Sequence, residues 1–190
     1  FRSLISRSLQ SGKIMSCIAF SDIENSHNID VNVLTNALDR YQAMVRNCHI
    51  KRFGKQYASE ANMRACALQA ASFDVHFILN ETFDMFGEAS RISSTLQKID
   101  EIFSIDSSDE LKEKIEELQG HTLSSMRSFL QVMEKNKLSF KHKWVKSTLE
   151  KSTSGSTISL NAISRVYDYL NTHTELEEVT TEFVGYFASG

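Results

Sequence analysis

The chain contains no proline in 190 residues, although average usage near 5% would place roughly nine or ten here. Proline breaks helix interiors by removing a backbone donor and clashing with the preceding turn. Only seven glycines are present as well, so strong breakers are scarce and long helices are expected. Cys17, Cys48 and Cys66 are odd in number and irregularly spaced, which excludes a complete disulfide framework. They point to reduced, buried thiols in an intracellular protein, with secreted and organellar placements left open. No apolar run nears the roughly 18 residues that span a bilayer. Catalytic signatures are lacking too: there is no HExxH, CxxC, Gly-rich phosphate loop or GxSxG elbow.

What is present is ordinary for a soluble globular protein: 41% hydrophobic and 24% charged residues, with a net charge of −3. That charge argues against a general nucleic-acid binder, though not against a local basic patch. Charge is unevenly spread, with acids dense over 81–118 and bases gathered in Arg40–Lys55 and Lys135–Lys151. The chain opens on Phe1, as expected of a processed or trimmed N-terminus. Residues 1–14 are amphipathic, rich in Arg and Ser and free of acids, as in a transit peptide. A first helix docked on the body is the expectation here.

Hydrophobic spacing predicts seven or eight helices and no strand. Asp30 or Asn28 can cap a helix that Gly54 stops near Phe53, with Leu34, Leu38, Tyr41, Val45 and Cys48 inward. Residues 56–86 read as a long helix, apolar on one side through Leu68, Val75 and Leu79. Cys66, Ala70, Phe73 and Phe77 make the opposite side apolar too. Such a helix would be buried between neighbours, so Phe73 and Phe77 should be as buried as Leu68 and Leu79. A shorter helix is expected near 89–104. Ser107 and Glu110 form a capping box opening a stripe from Leu111 through Leu118 to Met133, weak at Gly120. Residues 151–157 read as a flexible loop, and two short helices close the chain, the last opening at Thr174. The expectation is one all-α domain over residues 1–190: a multi-helix bundle around a central helix near 56–86.

The remaining motifs are weak. Residues 22–33 place oxygen side chains at alternating positions, but His27 and Val33 stand where a calcium loop needs glycine and glutamate. The six histidines show no metal spacing. Glu117 and His121 would share a helix face, whereas Cys48 and His49 would diverge. His76 reads as a satisfied core histidine. No catalytic residue, cofactor site or metal site is assigned.

The basic segment 135–151 is the best functional lead, with six lysines, His142 and one acid. Read as a helix, it puts Phe140 and Trp144 one turn apart. Lys137, Lys141, Lys143 and Lys146 join them in a candidate interaction surface for an anionic partner. A Trp144 packed against a neighbour would instead make the segment structural. The function expected is that of a non-enzymatic interaction or assembly protein that docks a protein partner or self-associates. Two alternatives are a carrier of an apolar small molecule in the bundle interior and a binder of anionic surfaces through 135–151.

Overall fold

Alternation with a period of two organises much of this chain, and a sheet lies at its centre. The structure, a computed structural model, describes residues 2–22, 29–69, 73–85, 91–118 and 120–173. In order, the elements are α1 (Arg2–Ser11), β1 (Lys13–Asp22), α2 (Val31–Phe53), a 3₁₀ helix (Lys55–Ala61), β2 (Met63–Gln69) and β3 (Phe73–Thr82). They continue with α3 (Arg91–Ser104), α4 (Ser108–Glu116), α5 (His121–Lys135), β4 (Leu138–Ser147), β5 (Ser152–Ile158) and α6 (Leu160–His173). The five strands form one sheet in the order β2-β3-β1-β4-β5, with every neighbouring pair antiparallel.

The all-helical bundle is therefore overturned, and with it the all-helical domain. The supposed central helix over 56–86 is a 3₁₀ helix followed by β2 and β3. Its two apolar sides do not correspond to the two faces of the sheet: Val75, Leu79 and Phe77, which a helix would set on opposite sides, together face the core, while Ile78 joins the other face. Phe77 is buried, as expected, alongside Leu79; the side chains of Leu68 and Phe73 lie outside the described residues. The first segment is likewise α1 plus β1, and all but Lys151 of the supposed loop 151–157 lies in strand β5.

Several helix signals hold. The Asp30 carboxylate accepts the Asn32 and Val33 amides at 2.8 and 3.3 Å, and Gly54 ends α2 at φ +98°. The stripe after Ser107 is split into α4 and α5, with Gly120 at φ +66° preceding α5. Ser107 stands at the N-terminus of α4, yet its hydroxyl makes no capping bond there. The segments read as a calcium loop and as the last helix include or lie within residues 23–28 and 174–190, outside the described ones.

Helices α2 to α6 cover one face of the sheet with a continuous apolar core that includes Ile18, Phe20, Phe129, Phe140 and Trp144. The other face has a smaller cluster, where Leu4 of α1 packs against Met15 and Val145. Ser8 secures α1 there, its hydroxyl accepting the Met15 amide at 3.1 Å. Gly155 of β5 shows how closely the hairpin packs. A Cβ at that position would fall 2.1 Å from the His142 carbonyl oxygen, and its φ of +131° disfavours any L side chain. Gly155→Ala should lower the unfolding free energy by at least about 2 kcal/mol, through overpacking and backbone strain. An unchanged urea midpoint would show that β5 yields freely.

Candidate functional site

The basic segment is a strand, so alternation divides its residues between two environments. Phe140 and Trp144 point into the core and are 1% and 0% exposed. Lys141 is exposed and Lys143 half-buried on the opposite face, paired in register with Ala19 and Cys17 of β1. Lys146 is exposed beside the irregularity between Val145 and Ser147. Lys137 sits at the turn into β4, at φ +52°, and pairs with Glu134. The structure thus separates the aromatics from Lys141 and Lys143, two residues the helical reading had grouped with them.

The inward side chains of β4 carry a buried polar chain that sequence reading missed. His142 Nε2 meets the Asp100 carboxylate, which also accepts the Ser156 hydroxyl. His142 Nδ1 lies 3.1 Å from the Tyr41 hydroxyl. With Nε2–H directed to the carboxylate, Nδ1 is the acceptor and Tyr41 the donor. Burial and the Asp100 charge push the Tyr41 phenol far above its usual range, so it stays protonated. Trp144 Nε1–H donates to Ser93 Oγ at 2.9 Å. Tyr41 and His142 are 2% and 1% exposed and packed edge-on against Phe140. These groups join α2, α3, β4 and β5, with Tyr41 and His142 enclosed and Asp100 and Ser156 half-buried. The alternation Leu138-Phe140-His142-Trp144 was the signal that could have revealed their shared face.

A second network sits at the start of α3. The Glu81 carboxylate, at the end of β3, accepts the Arg91 and Ile92 amides at 3.2 and 2.7 Å. Arg91 grips Glu60 with two N–H groups, at 2.8 and 2.6 Å. His49 places Nε2 3.2 Å from Glu60 and Nδ1 2.9 Å from the Thr95 hydroxyl. Burial holds the His49 imidazole below its usual range, against the pull of Glu60, and the Arg91 hydrogen bond holds Glu60 below the carboxylate range. Glu117 pairs with Lys98 and Lys114, while His121 begins the next helix, so these two do not act together.

On the outer face, Cys17 stands opposite His76 in the β1–β3 register. The resemblance to a nucleophile and base is superficial. Burial, helped by Asp74, pushes the Cys17 thiol up, whereas a reactive cysteine needs it lowered. His76 is buried, but its Nδ1 has no hydrogen-bond partner among the described residues, contrary to the satisfied histidine expected. Burial pushes the Cys48 thiol up to about 11. Among the described residues, no group of three or more His, Cys, Asp or Glu side chains could hold a metal. No described helix is long and apolar enough to cross a membrane.

The remaining feature is β5, an edge of the sheet with no further strand beside it among the described residues. Its sequence, Ser-Thr-Ser-Gly-Ser-Thr-Ile, carries no charge and no proline. The run Thr153-Ser154-Gly155-Ser156-Thr157 reads identically in both directions, with Gly155 and Thr157 exposed. Natural sheets usually blunt such edges with charge, proline or a bulge. The opposite edge, β2, has Arg64 and a register irregularity between Ala65 and Ala67. Comparison with protein-family models finds no match, and comparisons with curated proteins and with solved structures also find none.

Two outcomes test these networks. Tyr41→Phe leaves the buried Nδ1 of His142 without a donor and should cost about 1–2 kcal/mol by urea unfolding; an unchanged midpoint would show that this bond contributes nothing. The second concerns pH. His49 and Glu60 both bind protons more weakly folded than unfolded. The stability each contributes above its unfolded pKa is lost progressively as pH falls through the folded value. For His49 the loss begins near pH 6.5, for Glu60 nearer 4.3. Urea midpoints should therefore fall from about pH 6.5 downward, with His49→Gln flattening the curve above pH 5. A parent midpoint constant between pH 7.5 and 5 would contradict this account.

Proposed function

We propose that this chain is a non-enzymatic interaction protein that self-associates through β5, two copies pairing edge to edge across a two-fold axis. The uncharged palindrome Thr153-Ser154-Gly155-Ser156-Thr157, on an edge with no further strand among the described residues, carries the reading. Antiparallel pairing centred on Gly155 sets Thr153 opposite Thr157 of the second copy, and Ser154 opposite Ser156. Cross-strand hydroxyl pairs of this kind are favourable, and no like charges face each other within the run. A two-fold interface requires one surface to complement itself, and a palindromic strand meets that requirement. So short a contact sits at the low end of specific interfaces. Association is then concentration-dependent, with a dissociation constant on the order of micromolar or weaker.

The two alternative readings have less support. An apolar carrier needs interior space, whereas Tyr41, Phe129 and Phe140 fill the core with mutual ring contacts at 5.2 to 6.4 Å. An anionic surface would meet Lys141 and Lys143 without the buried aromatics that made the segment attractive.

Light scattering during size-exclusion chromatography tests the proposal. At rising concentration the protein should approach twice its 21.6 kDa chain mass. Thr153→Glu/Thr157→Glu and Thr153→Lys/Thr157→Lys should each remain monomeric, because like charges then face one another. Mixing the two variants should restore the dimer. A parent that stays monomeric at hundreds of micromolar, or variants that dimerise as the parent does, would overturn it.

A further inference from the structure

Between the C-terminal half of α2, the 3₁₀ helix and the start of α5 lies a cavity of about 590 Å³. Arg46, Lys51, Lys55 and His121 line it, and among the described residues no carboxylate does. All four are exposed, and among the described residues none has an ion-pair partner. Arg91, Lys98, Lys112, Lys114, Lys137 and Arg165, by contrast, pair with carboxylates. The negative end of the α2 dipole favours a cation at Lys51, in the last turn. It does not account for Arg46, about two turns from that end, or for Lys55, beyond it. Three fixed positive charges around one cavity repel each other, and an anion placed among them removes that repulsion.

The walls are held in place. The Thr122 hydroxyl donates to the Asn47 carbonyl at 3.2 Å, fastening α5 to α2. Gly120, at φ +66°, starts α5 with no side-chain cap over its first amides, and Gly120 and Thr122 line the cavity. Ile50 and Ala58 add apolar wall.

We propose that this cavity binds a small molecule carrying two or more linked phosphates. The volume falls within the range of small-ligand pockets, about 300–1,000 Å³. Lys51 and Lys55 act as point charges on separate phosphoryl groups, while Arg46 offers the bidentate fork that suits phosphate oxygens. This site shares no residue with β5 and does not depend on self-association.

Calorimetric titration of the full chain with sodium tripolyphosphate, in about 50 mM salt, tests the site. Saturable binding is expected, weakening steeply as salt rises. Lys51→Gln/Lys55→Gln should reduce affinity by at least about tenfold, and Arg46→Gln by a similar factor. Lys141→Gln/Lys143→Gln, on the outer sheet face, should bind as the parent does. Thermal melts of all variants establish that they are folded. Vesicles containing phosphatidylinositol bisphosphate separate a lipid source from a soluble one: capture of the protein would place the same phosphate chemistry on a headgroup. Absence of saturable binding to tripolyphosphate, or equal binding by parent and Lys51→Gln/Lys55→Gln protein, would overturn the proposal.

Discussion

His142 lies where the sheet meets the helices, and both of its ring nitrogens are committed. One meets Asp100 of α3 and the other Tyr41 of α2, while Ser156 of β5 shares the same carboxylate. Four elements are thereby linked through a ring that is 1% exposed. An unpaired polar group costs more in such a place than a made bond returns, so displacement of any one element leaves a buried donor or acceptor stranded. Phe140 and Trp144 pack against the His142 ring and shield it from solvent. Apolar burial supplies most of the driving force, and the polar chain selects which arrangement of helices over sheet satisfies it.

The parts legible from sequence were those whose signal is local. Asp30 and Gly54 bracket α2 through capping and a positive φ, both of which depend on neighbouring residues only. The helix of α3 was visible for the same reason, and the weak point at Gly120 falls between α4 and α5. The strands were hidden because both faces of the sheet are partly covered. Met15 and Val145 pack beneath α1 while Ile18 and Trp144 face the main core. Near-continuous apolar runs result, and these fit a buried helix as well as a strand. The residues joining β2 to β3, Ala70-Ala-Ser72, contain neither glycine nor proline, so composition gave no warning of a break. In β5 the opposite happened. Ser, Thr and Gly suggested a loop, and only pairing with β4 makes the segment a strand. The Tyr41–His142–Asp100 chain joins residues up to 101 positions apart, beyond the reach of any local pattern.

Charge follows a comparable division. The acids concentrated over 81–118 include several with internal duties: Glu81 holds the start of α3, Asp100 anchors His142, and Glu117 receives Lys98 and Lys114. These carboxylates bind groups of the same chain, whereas Glu101, Asp106, Asp109, Glu110, Glu113 and Glu116 remain exposed to solvent. The cations of Arg46, Lys51 and Lys55 have no such internal role among the described residues. The gathering of three cations around one cavity, rather than net charge, is what distinguishes the α2–α5 site. A net charge of −3 conceals it, because the sum counts buried and exposed charges alike.

The β4–β5 hairpin connects the interior to the edge. On its inner side Ser156 completes the Asp100 cluster, and Ile158 joins the core beside Phe140. Gly155 lies so close to β4 that a methyl group there would overlap the His142 carbonyl oxygen. The centre of the palindrome is therefore also a point of close approach between β5 and the histidine strand. An edge that moved freely would lose conformational entropy whenever a second strand paired with it. An edge already fixed by Ser156, Gly155 and Ile158 has lost most of that freedom on folding. Even a short, uncharged strand can then offer backbone groups in a defined register, and the preorganisation comes from the same contacts that close the core.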